Sequence, residues 1–89
     1  MAGAADLRSY VGANTRRSRE QLGISQQAAA ELVGVSPRYF RDIEAGRVNL
    51  TLVTLGLLAR ALEVPAHQLL RPAQLVQRGP GRPKAKKPR

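Results

Sequence analysis

The sequence predicts an all-α fold, a compact five-helix bundle followed by a disordered basic tail. Three observations lead there. Apolar residues recur at helical spacing between Leu7 and Leu70, and no segment sustains the alternation with β-branched residues that marks a strand. Hydroxyl residues and glycines stand where helix starts and stops need them. After Val76 the chain reads Gln77-Arg78-Gly79-Pro80-Gly81-Arg82-Pro83-Lys84-Ala85-Lys86-Lys87-Pro88-Arg89. That segment offers no apolar face and cannot offset its ordering entropy by burial. The predicted organisation is a flexible N-terminus at 1–5, a helical domain at 6–70 and a Pro/Gly-rich basic tail at 71–89.

The first helix is expected from about Asp6 to Leu22, with Leu7, Val11, Thr15, Ser18 and Leu22 on one stripe. Only Leu7, Val11 and Leu22 of that stripe are apolar, so its inward face is light. Gly23 stops it. Ser25 caps a second helix, about Gln26 to Val33. Gly34 follows and suits a left-handed backbone position. Ser36 caps a third helix, about Pro37 to Ala45. Pro37 takes its first position, where a missing N–H costs nothing, and Gly46 ends it. Thr51 caps a fourth helix, about Leu52 to Leu62, with Leu55, Leu58, Ala59 and Leu62 facing inward. Pro65 opens a short fifth helix carrying Leu69 and Leu70, which serve as core or as dimer contacts.

Composition narrows the possible chemistry. A chain of 89 residues predicts one domain. A domain of this size buries only about 60% of the surface of its unfolded chain, so a partner subunit would add to its stability. The sequence has no cysteine, which excludes disulfides, a thiolate nucleophile and a zinc finger, and fits a reducing cytosol. No stretch approaches the roughly 18 apolar residues of a membrane span, and Met1 to Asp6 lacks the basic and apolar regions of a signal peptide. The expected location is cytoplasmic, with the nucleoid. His67 is the single histidine and reads as a surface residue, because metal sites need several ligands. Nothing places a nucleophile beside a base. The expectation is therefore no enzyme, no metal and no cofactor.

The net charge is +9 and unevenly placed. Residues 1–70 hold eight arginines and six acids, a balance of +2. Residues 71–89 hold seven basic residues and no acid, a balance of +7. Such a chain suits a polyanionic partner, either nucleic acid or an acidic membrane surface. The tail lacks aromatic and apolar anchors for a membrane.

The stretch from Gln26 to Ala45 carries the functional signal. Two short helices are joined by the tight turn Gly34-Val35-Ser36. Ala30 is small where the helices approach, Gly34 tolerates positive φ, and Ala29, Val33, Val35, Phe40 and Ile43 fill the angle between them. These constraints define a helix-turn-helix. The exposed side of its second helix is then Pro37, Arg38, Arg41 and Asp42, with Ser36 ahead of them and Tyr39 at the edge. An α-helix fits the major groove of DNA, with its N-terminal residues toward the base edges. Arg38 can donate two bonds to guanine O6 and N7; Arg41 can do the same or hold a phosphate. Asp42 can accept from cytosine N4 or find a partner within the chain. Tyr39 either covers the core edge or meets a phosphate. Gln26 opens its helix where free N–H groups favour a phosphate. Arg47 and Asn49 follow the third helix and can clamp the backbone.

From Val11 to Leu70 the chain resembles the phage Cro and repressor type of helix-turn-helix, the XRE family, whose fold is lambda repressor-like. The resemblance rests on Arg16-Arg17-Ser18-Arg19-Glu20-Gln21-Leu22-Gly23-Ile24-Ser25-Gln26, Ala30-Glu31, Gly34-Val35-Ser36 and Tyr39-Phe40-Arg41-Asp42-Ile43-Glu44-Ala45-Gly46-Arg47. Thr54-Leu55 and Leu58-Ala59-Arg60-Ala61-Leu62 complete it. It implies a five-helix domain, a recognition helix beginning at Pro37 and Arg38, and two copies on a near-palindromic site. It further implies a structural ion pair of Arg19 with Glu44 and a DNA contact from Gln26. The sequence departs from the family where Thr15, Ser18 and Ala29 replace larger apolar residues. That makes the core lighter, at a cost on the order of a few kcal/mol if uncompensated. Leu50 replaces a frequent Pro, and Glu63 a frequent Gly. Pro37 cannot read a base by a side-chain hydrogen bond.

In the tail, Gly81-Arg82-Pro83-Lys84 resembles the centre of an AT-hook, which lays Arg into the narrow minor groove of A·T tracts. Pro80 stands where such a hook has its other Arg. Arg82, Lys84, Lys86 and Lys87 are the expected DNA contacts of this segment, through the minor groove or through phosphates alone. The leading expectation is a sequence-specific, double-stranded DNA-binding regulator, a repressor acting as a homodimer. Two alternatives have different partners: an antitoxin that binds a protein toxin and represses its own operon, and an architectural binder tolerant of sequence.

Overall fold

Three hydroxyl side chains set where the inner helices begin. Ser25 Oγ accepts from the Ala28 N–H at 3.0 Å, Ser36 Oγ from Tyr39 at 3.0 Å and Thr51 Oγ1 from Thr54 at 3.1 Å. Each covers one of the otherwise unpaired N–H groups of a first helical turn, a contribution of typically ~1 kcal/mol. The computed structural model describes residues 3–75. It contains α1 (Ala4–Leu22), α2 (Gln26–Val33), α3 (Pro37–Glu44) and α4 (Leu52–Leu62), then a 3-10 segment, Ala66–Leu70. There is no strand among the described residues.

The count is four α-helices where five were expected. The fifth element is a 3-10 turn because only five residues separate Pro65 from Arg71 and Pro72, too few for a ladder of longer bonds. Its bonds span three residues, Gln68 N–H to the Pro65 carbonyl at 3.0 Å and Arg71 N–H to the Gln68 carbonyl at 3.5 Å. At the other end α1 starts at Ala4, two residues ahead of the expected Asp6, so Ala4 and Ala5 are helical. Asp6 explains this: its Oδ2 accepts from the Gly3 N–H at 3.2 Å and closes the first turn.

Gly34 sits at φ 91° between α2 and α3, a left-handed conformation that costs a residue with Cβ on the order of 1–2 kcal/mol. Its N–H donates to the Ala30 carbonyl at 2.8 Å and ends α2 abruptly. α4 ends the same way at Glu63, φ 62°, without the benefit of glycine.

The centre is built from Ala29, Ala30, Val33, Phe40, Ile43, Leu55, Leu58, Ala59, Leu62 and Leu69, all buried. Every inward position expected on α4 is among them. α1 supplies mostly small or polar residues to this body: Val11, Gly12, Ala13, Asn14, Thr15, Ser18 and Arg19. Leu7 and Leu22, both read as inward-facing, are 40% and 38% exposed. α1 has 19 residues against 8 in each of α2 and α3. At 1.5 Å per residue its ends overrun the elements it packs against.

Thr15 is fully buried, and its hydroxyl finds no partner among the described residues. A buried unpaired hydroxyl costs about 1–3 kcal/mol. Thr15→Val keeps the shape and removes that group, so it is expected to raise the unfolding free energy by about that amount. A urea melt checks this; a loss of stability would mean that the hydroxyl has a partner in solution.

Candidate nucleic-acid interface

α3 is strongly two-faced. Phe40, Ile43 and Glu44 are buried, Pro37, Arg38 and Arg41 are exposed, and Tyr39 and Asp42 are half-buried. Two features hold its buried face against α1. The first is steric. A Cβ placed on Gly12 would lie 2.7 Å from the carbonyl oxygens of both Ile43 and Glu44. Glycine lets the backbone of α1 touch the C-terminal end of α3. The second is ionic. Arg19 Nε donates to Glu44 Oε2 at 2.6 Å and Nη2 donates to Oε1 at 3.2 Å, a forked pair in which both side chains are nearly buried. Arg19 Nη1 also donates to the Ile24 carbonyl at 2.9 Å, and Gln26 Nε2 donates to Glu44 Oε1 at 2.8 Å. The Arg19–Glu44 pair thus ties α1, the α1–α2 loop, the start of α2 and the end of α3 together.

This network also shapes the charge of the exposed surface. Of the two acids on α3, Glu44 is turned inward onto Arg19. Asp42 Oδ1 accepts from Arg47 Nη1 at 3.3 Å. That second pair is exposed and contributes little to stability, about 0–1 kcal/mol, but it offsets the Asp42 charge locally. Arg38 and Arg41 have no carboxylate partner among the described residues. Three residues apart, they share one face of α3.

The other expected contacts divide. Pro37 and Asn49 are exposed, and Arg47 is exposed while paired to Asp42. Ser36 Oγ is occupied as an acceptor by the cap, which leaves the hydroxyl proton to donate. Tyr39 packs against the core cluster. Gln26 spends one amide proton on Glu44, which leaves its second amide proton and its carbonyl oxygen for an outside partner. Arg82, Lys84, Lys86 and Lys87 lie outside the described residues. His67 is exposed, and no cluster of potential metal ligands occurs among the described residues. None of the described helices is long and apolar enough to cross a membrane. Gly12 and the Gln26–Glu44 link were not anticipated. A glycine inside a helical pattern that tolerates alanine elsewhere was the available signal for the first.

The family model for helix-turn-helix domains matches residues 16–69, more than half of the chain. The chain belongs to the helix-turn-helix family. An uncharacterized HTH-type transcriptional regulator of Sinorhizobium fredii, y4dJ, is 39% identical over 67 residues, covering 75% of this chain and 87% of the relative. The crystal structure of the hypothetical transcription factor NHTF from Neisseria superposes with a TM-score of 0.73 at 36% identity, covering 79% of each chain. The restriction-modification controller protein C.AhdI from Aeromonas hydrophila superposes with a TM-score of 0.66 at 32% identity, over 70% of this chain and 94% of that one. In this helix-turn-helix protein α2 and α3 are the motif and α3 is its second helix, in the register expected from Ser36 and Pro37.

Proposed function

We propose that this helix-turn-helix protein is a sequence-specific, double-stranded DNA-binding transcriptional regulator, a repressor that occupies a near-palindromic site as a homodimer. The observation that carries the reading is the pair of arginines on the exposed face of α3 that have no carboxylate partner among the described residues, on a helix whose two acids are paired within the chain. Arg38 reaches a guanine from the N-terminal end of α3, and Arg41 follows as a second base or phosphate contact. Arg47, Asn49 and Ser36 border them and hold the backbone, with the remaining donors of the α2 start facing a phosphate. The names of the relatives, transcription factors and a controller protein, agree with this reading.

A second copy suits the apolar surface around the start of α4. Leu52 and Val53 project from α4 at 84% and 73% exposure. Leu52 also lines an apolar cleft of about 260 Å³, together with Leu7, Asn49, Leu50, Leu55 and Leu70. An exposed apolar patch continuous with a cleft suits the self-complementary contact of a two-fold interface.

Selection of bound duplexes from a random pool tests the whole reading. The expected result is a recovered motif of two inverted half-sites about one helical turn apart. Recovery without enrichment would remove sequence specificity. Arg38→Ala is expected to weaken binding by about 1–3 kcal/mol and to relax preference at one base pair per half-site. An equal loss on every sequence would make Arg38 a phosphate contact instead.

A further inference from the structure

Gly12 and Arg19 turn one side of α1 toward α3: the first touches its end, the second pairs with Glu44. At about 100° per residue, Asn14, Arg17, Ser18 and Gln21 lie roughly 140–240° around α1 from Gly12, on the opposite side. They line a pocket of about 240 Å³, and Gln68, Arg71 and Pro72 supply the rest of its lining. Asn14 fixes these two walls against each other. Its Nδ2 donates to the Leu69 carbonyl at 3.0 Å and to the Arg71 carbonyl at 2.8 Å. Both amide protons are spent there, so Asn14 builds the pocket and leaves donation to its neighbours.

Every lining residue except Pro72 is polar, and none is acidic. Arg17 and Arg71 have no carboxylate partner among the described residues. Glu20, the nearest acid along α1, is held by Arg16 at 3.0 Å and lies about 100° around the helix from Gln21. Ser18 is only 6% exposed and forms no side-chain hydrogen bond among the described residues. Its hydroxyl is not sealed in as that of Thr15 is, so the surface it keeps opens on this pocket.

A guanidinium group matches the oxygens of a phosphate or a carboxylate with two parallel bonds. Donors on both walls outnumber what the two oxygens of a carboxylate accept and suit a tetrahedral phosphate. We infer that this pocket binds the phosphate group of a small ligand between Arg17 and Arg71, with the Ser18 hydroxyl and the Gln21 and Gln68 amides as further donors. The volume falls just short of the roughly 300 Å³ at which clefts for drug-sized ligands begin, so the ligand is small. A phosphate of a duplex lying on α3 is not the occupant. Arg38 and Arg41 are on the exposed side of α3, α3 packs on one side of α1, and the pocket is on the other. The thickness of a helix, about 10 Å, separates them. The site stands on α1 and the 3-10 segment alone and does not depend on the DNA reading.

Titration of the full-length chain with inorganic phosphate at constant ionic strength, followed by amide chemical shifts, tests the site. Signals of Arg17, Ser18, Gln21, Gln68 and Arg71 are expected to move along one saturable curve while those of Arg38 and Arg41 stay in place. Arg17→Gln and Arg71→Gln, both at exposed positions, are each expected to weaken binding about tenfold or more, through loss of a charge-assisted contact. Ser18→Ala, its folding checked by circular dichroism, is expected to weaken binding by less. Arg60→Gln, at an exposed position of α4 outside the pocket, is expected to leave the affinity unchanged. Acetate is expected to bind more weakly than phosphate, and a duplex from the random pool is expected to leave the phosphate affinity as it was. Shifts that never saturate, or that Arg60→Gln reduces as much as Arg17→Gln does, would mean diffuse attraction to a basic chain and overturn the pocket. Tighter binding of acetate overturns the phosphate assignment. Displacement of phosphate by the duplex makes the site a DNA contact and overturns the small ligand. Failure to select any duplex removes the DNA reading and leaves the phosphate titration to stand by itself.

Discussion

Glu44→Ala is expected to lower the unfolding free energy by about 3–5 kcal/mol, because it leaves the Arg19 guanidinium buried without a counter-charge. Arg19 and Glu44 side chains are 10% and 4% exposed, so solvent cannot replace the missing carboxylate. Domains of this kind have on the order of 5–15 kcal/mol in total, so the single change removes a large share. The size of the loss does not mean that the ion pair stabilises the fold by that amount relative to apolar packing. The double change Arg19→Met with Glu44→Leu is expected to be near neutral or more stable than wild type, since neither charge then has to be desolvated. Urea melts of the single and double variants measure both effects. A double variant as unstable as the single one would show that the hydrogen bonds to Ile24 and Gln26, rather than charge burial, carry the cost.

Much of the fold is legible in the sequence because its punctuation is local. A hydroxyl before a helical run needs no tertiary information to act as a cap, and Ser25, Ser36 and Thr51 all cap where expected. The inward face of α4 is legible for a similar reason: Leu55, Leu58, Ala59 and Leu62 differ sharply in polarity from what a solvated face needs. α1 is harder. Its buried face includes Gly12, Ala13, Asn14, Thr15, Ser18 and Arg19, and a stripe drawn through its largest apolar residues extends to Leu7 and Leu22 at the exposed ends. Polarity fails as a guide where burial is achieved by close approach and by pairing. The last element differs from the expected α-helix because periodicity in five residues cannot distinguish a 3-10 turn from an α-helix.

The candidate site is legible in its outward residues and less so in its supports. Arg38 and Arg41 follow from the turn and the position of the cap. The Arg19–Glu44 pair comes from resemblance alone, since 25 residues separate its members and no local pattern joins them. Gln26 shows how one residue type suits two settings. Its place at the start of α2 favours a phosphate, while its reach lets it donate to Glu44. Asn14 carries no sequence signal, because its partners are backbone carbonyls 55 and 57 residues away.

Gly12→Ala is expected to destabilise the protein by about 1–3 kcal/mol and to move the C-terminal end of α3. The clash is with backbone: the added methyl would stand 2.7 Å from two carbonyl oxygens and 3.0 Å from the Glu44 carbonyl carbon. No side-chain rotation relieves it, so either α1 and α3 separate or α3 tilts. Separation also lengthens the Arg19–Glu44 contact, which couples the two supports and makes Gly12→Ala with Glu44→Ala less than additive. Gly56→Ala is the internal control. Gly56 is helical and exposed with nothing within 4 Å of a Cβ, so alanine there is expected to stabilise by roughly 0.5–1 kcal/mol through helix propensity alone. Urea melts compare the two, and amide chemical shifts of Phe40 to Arg47 report whether α3 has moved. Gly12→Ala should shift those signals and weaken binding to the selected duplex, whereas Gly56→Ala should do neither. A Gly12→Ala protein as stable as wild type, with unshifted α3 signals, would mean that the two helices do not touch there and that α3 is held by its ion pair and core contacts alone.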